Sequence, residues 1–419
     1  MIYKILLLAL LVLLSIVRND LVLTAVLAFT ILFSFVVNVK LNIKLLAVVL
    51  LLFLIFITAF ISSFFESPNL NDVLRDVWYL LKPILIIYAA YFITSKIKDK
   101  EYLFRAIIYI GIIAAVLHLL KVVPDLLGQS RRIAEIRASS GKGNIVEIFS
   151  FTFLFLNKEV KYFKTKNIKY ALYALLLCSI IFYFSRTMLL LLFMVIFSMK
   201  GYLRLTFKSL KYLGILIIAF FVFFGVLNRM NLSAEDVGIN GFLYKIKIAP
   251  SEIIKTDIDI NNHRDLWDHF RAYEAIRAIE TTNKNGFRAV VFGNGLGGLV
   301  DLDFEVKLSG KMLQFIPIIH NGYVFVFFKS GIIGLLLYLL LLFMLYLKVY
   351  NVNGNNNYLI TRRLISTIGI YYFFTSLVIT GMYNPAETIA VFLGAALFLE
   401  TYFKKQQSNK NELMEINTI

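Results

Sequence analysis

The sequence is poor in cysteine and in charge. Its 419 residues hold one cysteine, Cys178, inside an apolar run, so an internal disulfide cannot form and a cysteine-based zinc site is excluded. Charged residues make up 16% of the chain, against about a quarter in soluble domains, and no long soluble domain can be cut out of it. No small-residue cleavage pattern precedes Arg18, so the first apolar run, Ile5 to Val17, reads as a signal anchor. Internal repeats and low-complexity segments are absent as well.

What is present is hydrophobic: 59% of the residues, with a mean hydropathy of +0.78. That composition belongs to a polytopic membrane protein. A helical span needs roughly 20 apolar residues. Candidate runs centre on Leu10, Ala28, Leu54, Ile86, Ile113, Phe151, Leu176, Phe193, Ile217, Leu336, Phe373 and Leu393. The expected fold class is all-α, a polytopic integral membrane protein of about 12 transmembrane helices with one long outer loop that contains an amphipathic helix.

The net charge of +17 would suggest nucleic acid in a soluble protein, but its distribution gives another reason for it. Just over half of the lysines and arginines fall in alternate short segments: Met1 to Lys4, Asn38 to Lys44, Lys96 to Arg105, Asn157 to Lys169, Lys200 to Lys211, Lys348 to Arg363 and the tail. The positive-inside rule places these segments and both termini in the cytoplasm, and no nucleic-acid partner is required. The chain then divides into a membrane bundle of about nine spans over 1–227, a long outer loop over 228–319, further spans over 320–403, and a tail over 404–419 that reads as disordered. These parts are expected to work as one functional domain. The long loop is nearly balanced in charge and too small to be an independent catalytic domain.

Within that loop, Asn262 to Glu280 has helical character, with Asn261 or Asn262 as N-cap. At 100° per residue Arg264 and Arg271 return to one face, with Asp268 between them. Two guanidinium groups near a helix N-terminus suit an anion. Arg264, Arg271, Arg288 and Lys311 would together clamp a pyrophosphate; the alternative, favoured for Arg271 and Arg288, is a solvated face with Asp265, Asp268 and Glu274 as partners.

His320 opens a span as IPIIHNGYVFVF. It reads either as a general base able to take a proton from a sugar hydroxyl or as an interfacial histidine at a helix end. Arg186, in a tight two-helix turn, either snorkels to the interface or binds phosphate bidentately. GNGLGG, Gly293 to Gly298, lacks the strand and crossover unit of a dinucleotide loop and reads as a flexible turn. Asp301, Asp303 and Glu305 would share one side of an extended segment, a weak case for a divalent cation. Lys329, within a span, defaults to a functional role or to pairing with a neighbouring polar group. The basic segment with Arg131, Arg132, Arg137 and Lys142 would touch lipid pyrophosphate or an acidic glycan, or be solvated at the interface.

Three pieces occur in order: SRT at Ser185 to Thr187, HRDLW at His263 to Trp267, and FGNGLGG followed by IPIIHNGYVFVFFKSGIIG. This set resembles the O-antigen ligase and polymerase superfamily over roughly Cys178 to Leu340. The resemblance implies a helical, C-type-like membrane glycosyltransferase at the outer face of the bacterial inner membrane. Its donor would be a glycan on undecaprenyl pyrophosphate, with the lipid bilayer as its medium and chain-length regulator and flippase proteins as further partners. It implies His320 as the catalytic base, Arg186 and Arg264 on the pyrophosphate, and no metal or other cofactor. Arg271, Arg288, Lys311, Asn321 and Arg132 are further candidate contacts to substrate. Lys329 departs from the pattern, since the family often carries other residues there. The implied activity is polymerisation of O-antigen or capsular repeat units. The alternative within the class is ligation of glycan to lipid A core or protein, and from another class a flippase or transporter, which repeated halves and midplane polar groups would favour.

Overall fold

The computed structural model describes residues 1–127, 143–156, 166–233, 235–236, 238–308, 310–350, 353–384 and 387–416. Each apolar run of the sequence falls in a helix. They are α1 (Ile2–Val12, extended by a π-helical turn Leu13–Val17), α2 (Asp20–Val36), α3 (Ile43–Ser63), α4 (Leu70–Lys96), α5 (Tyr102–Leu127), α6 (Asn144–Phe155), α7 (Lys166–Phe182), α8 (Arg186–Met199) and α9 (Phe207–Arg229). The long loop folds as α10 (Gly238–Lys247), α11 (Ser251–Ile254), α12 (His263–Asp268), α13 (Phe270–Lys284), α14 (Gly286–Phe292) and a hairpin of β1 (Val300–Leu308) and β2 (Lys311–Ile316). Helices α15 (Gly322–Tyr346), α16 (Asn356–Val378) and α17 (Ile389–Ile416) complete the chain.

Five helices, α3, α4, α5, α9 and α15, are long and apolar enough to cross a membrane, and four shorter apolar helices accompany them. The protein is a helical membrane protein on this evidence. The expected count of about 12 spans exceeds what length and composition secure among the described residues.

Asparagine starts many of these helices. The side chains of Asn19, Asn42, Asn69, Asn262, Asn321 and Asn355 each accept an N–H of the first turn, satisfying donors that the helix leaves free. The C-terminal helix α17 packs along α4 so closely that a Cβ at Gly394 would strike the Ile87 carbonyl oxygen. Small residues let membrane helices approach in this way. Gly394→Leu is expected to separate the pair at a cost of about 1–3 kcal/mol; a thermal unfolding midpoint equal to wild type in detergent would disprove the close packing.

The lysine-rich connections around Lys44, Leu205 and Lys348 meet at one end of the bundle. There the buried Glu400 takes Lys44 at 2.8 Å, Lys348 at 3.3 Å and Arg362 at 3.0 Å, and Tyr350 accepts the Leu205 amide. The turns around Asn19, Ser62, Phe184, Ile319 and Thr380 lie at the opposite end, with the loop helices.

Four expectations change. The loop helix over Asn262 to Glu280 is broken at His269 (φ −120°, ψ 17°). The His269 ring turns back onto the Asp265 carbonyl and Ser251 Oγ, so Phe270 starts a new axis. The all-α expectation fails locally, because 300–316 is an antiparallel hairpin with an irregular register between Asp301 and Val306. Its carboxylates do not line one side: Asp303 takes a positive φ of 63° and pairs with Arg277. The tail expected to be disordered continues α17 to Ile416, as its Lys, Gln, Glu, Leu and Met residues favour.

Gly293 to Gly298 is packed rather than flexible. α15 is interrupted at Gly331 (φ 66°, ψ −165°), and the carbonyls of Phe328 and Lys329 accept the amides of Asn294 (2.8 Å) and Gly295 (3.1 Å) instead. A Cβ on Gly331 would strike the Val291 carbonyl, and one on Gly293 the Lys329 backbone. Two backbones thus touch where only glycines permit it.

Candidate active site

Helix α13 organises the site. Its buried positions are Phe270, Ala272, Tyr273, Glu274, Arg277, Ala278 and Thr282, and all but Ala272 follow the three-and-four spacing of a core-facing stripe. Two of them are charged, which a core stripe tolerates only with partners. Arg277 binds the Asp301 carbonyl (3.0 Å), Glu280 and Asp303, holding the hairpin on the helix. Tyr273 donates to the Leu302 carbonyl at 2.6 Å; its burial pushes the phenol up to about 12, so it stays a donor. The Asp303 amide, followed by Gln314, holds the Asp301 carboxyl below the usual range.

Glu274 is the other charged residue of the stripe. Its side chain is 2% exposed and its Oε2 lies 2.7 Å from His320 Nδ1, while the imidazole itself is 51% exposed. The same oxygen accepts the His320 amide at 3.2 Å. A carboxylate accepts here, so the proton belongs on Nδ1 and Nε2 keeps its lone pair; the tautomer is assigned from this partner. The His320 ring is thereby oriented by a buried anion and open on its basic side.

One helical turn away, Arg271 lies 3.6 Å from Glu252, whose carboxylate also takes both contacts of Arg186 Nη2 at 2.5 Å. Arg186 Nη1 is buried with no hydrogen-bond partner. Arg271 and Glu274 are three apart on α13, so their side chains neighbour each other, with roughly 5–6 Å between Cβ atoms. The structure therefore gathers His320, Glu274, Arg271, Glu252 and Arg186.

Of the other candidates, Asn321 directly follows His320, and no contact joins Arg264, Arg288 or Lys329 to this group among the described residues. Arg264, on α12, sits over the Tyr244 ring at 5.9 Å and has no carboxylate partner among the described residues. The helix break leaves it off the face that carries Arg271, against the phase expected for one continuous helix. Arg288 donates to Ser62 Oγ at 2.9 Å and pairs with Glu66, which staples α14 to the end of α3. Asn321 is a helix cap, accepting the amides of Tyr323 and Val324. Lys311 opens β2 opposite Leu308, and its side chain lies outside the described residues, as does the whole of Arg132. Lys329 is fully buried on Asp76 (2.5 Å) and the Gly298 carbonyl (2.6 Å). Around the site, Lys255, followed by the Asp259 amide, keeps the Asp265 carboxyl below the usual range. Among the described residues, no group of three or more His, Cys, Asp or Glu residues is placed to hold a metal ion.

Reading the sequence missed the role of Glu274, which it placed on a solvated face. Its signal was phase: Glu274 falls in register with Phe270, Tyr273 and Ala278. Glu252 carried no such signal, because the contact joins residues 66 apart. A scan against protein-family models returns no match, and a search of curated proteins returns none either.

Proposed function

We propose that the protein is a membrane glycosyltransferase that polymerises oligosaccharide repeat units carried on undecaprenyl pyrophosphate, at the outer face of the bacterial inner membrane. The observation that carries this reading is the His320–Glu274 pair, with the basic nitrogen open, placed one helical turn from Arg271, which shares the Glu252 carboxylate with Arg186. Nε2 of His320 removes the proton from an acceptor sugar hydroxyl, and that oxygen attacks the anomeric carbon of the donor. The bond from this carbon to the pyrophosphate oxygen breaks, and undecaprenyl pyrophosphate departs with the electron pair. Arg186 and Arg271 hold the developing charge, so the leaving group takes the place that Glu252 occupies between them. The sequence resemblance to the O-antigen ligase and polymerase superfamily supports the same donor.

The test is complementation of a host that lacks its repeat-unit polymerase but makes the matching lipid-linked repeat. Wild type is expected to restore a glycan ladder on a gel, and well-expressed His320→Ala to leave single repeats. A full ladder with His320→Ala removes His320 from the mechanism, and single repeats with wild type remove polymerisation of that substrate.

A further inference from the structure

The turn Arg18 to Asp20 joins two short helices. The first is 11 residues plus a five-residue π-helical turn and the second 17 residues, so they reach about 24–26 Å at 1.5 Å per residue, short of the roughly 30 Å hydrocarbon layer. Lys82 shows where the turn lies. It is 3% exposed, binds Asp20 at 2.6 Å, and sits about 18 Å along α4 from Leu70. Asp20 is nevertheless 58% exposed. The turn therefore lies below the ends of the taller helices, at a depth where charged groups pair or face a water-filled cavity.

A cavity of about 200 Å³ opens at this turn, lined by Arg18, Asn19, Asp20 and Asn384 and walled by Leu13, Leu14 and Leu23. Arg18 has no carboxylate partner among the described residues, whereas the charge of Asp20 is taken by Lys82. Of the charged side chains that line the cavity, Arg18 is thus the one without an opposite charge among the described residues, and three of the seven lining residues are leucines. Chain neighbours connect it to both halves of the candidate site. Arg18 lies close enough to Tyr183 to interact electrostatically with it, and Tyr183, anchored on Glu147 at 2.9 Å, precedes Arg186 by three residues. On the other side, Asn384 ends the turn Gly381–Tyr383, and Thr380 just before it donates to the Ile319 carbonyl next to His320.

From this geometry we propose that the Arg18 cavity is a phosphate subsite that takes the diphosphate end of a prenyl-linked donor alongside Arg186. The proposal rests on the transferase reading above. A guanidinium in a recess needs an oxyanion, binds phosphate by a two-pronged fork, and here meets leucine walls that suit the first isoprene unit. A phospholipid phosphate would offer the same oxygens, so the test separates the two sources.

Full-length protein in nanodiscs of neutral lipid would be titrated calorimetrically with farnesyl diphosphate and, separately, with short-chain phosphatidylglycerol. Arg18→Gln is expected to weaken farnesyl diphosphate binding about 10-fold or more, as for loss of a hydrogen bond to a charged group. Arg18→Lys is expected to weaken it less, and carries the test if Arg18→Gln fails to fold. Combining Arg18→Gln with Arg186→Gln should be non-additive, as for two groups on one ligand. Unchanged affinity in the folded Arg18 variants while Arg186→Gln loses binding overturns this subsite and leaves the transferase reading standing. No binding by wild type sinks both. Phosphatidylglycerol binding that depends on Arg18, with farnesyl diphosphate indifferent to it, overturns the assignment to the donor.

Discussion

Asp76→Ala is expected to destabilise the protein by about 3–5 kcal/mol, the range for leaving one member of a buried ion pair without its partner. Both side chains of the Lys329–Asp76 pair are 0% exposed, and Asp76 Oδ2 also accepts the Gly297 amide at 2.8 Å. Lys329 in turn donates to the Gly298 carbonyl. The pair therefore ties α4, the interrupted helix α15 and the glycine loop into one unit. Removing the carboxylate strands an ammonium and a buried amide together. The double variant Asp76→Leu with Lys329→Met removes both charges and should recover much of the loss, since well-packed apolar replacements of buried pairs are often neutral. Denaturation midpoints of wild type, both single variants and the double variant decide it. Single variants within about 1 kcal/mol of wild type would place the pair among the weak surface bridges and refute the locking role.

On the transferase reading proposed above, Glu274→Gln is expected to lower turnover by about 10²–10⁴-fold, the range of general base catalysis. Glutamine keeps the shape and can still accept the His320 amide, yet it can present an N–H to Nδ1. That moves the imidazole proton to Nε2, where the lone pair has to be. The arginines are untouched, so donor binding should persist and KM change little while kcat falls. Because the two residues act as a unit, Glu274→Gln together with His320→Ala should be no slower than His320→Ala alone. Chain extension measured with purified protein and a lipid-linked repeat would show it. Full turnover by Glu274→Gln would mean that the buried carboxylate only supports the fold.

The positions of the helices were legible in the chain because apolar runs of the needed length are a local property, and each such run became a helix. His320 and Arg186 were legible as candidates because polarity changes abruptly around them. Lys329 was legible only as an anomaly in an apolar run. Its partner Asp76 is 253 positions away, and no local pattern joins them. The glycine loop misled for a related reason: glycine marks either freedom or close contact, and only the apposition of Gly293 with the Lys329 backbone distinguishes them.

By itself the sequence determined a helical membrane protein, the alternation of basic and less basic connections, and a histidine at the head of a span. Hydrophobicity, charge and chain order are sufficient for those. The tertiary structure decided which polar groups meet: Glu274 on His320, Arg186 and Arg271 on Glu252, and Lys329 locked on Asp76 instead of facing a substrate. Each of these contacts joins segments far apart in the chain. The cost of burying a charge is set by its partner in space, so only the folded chain determines which charges are structural and which are left open to chemistry.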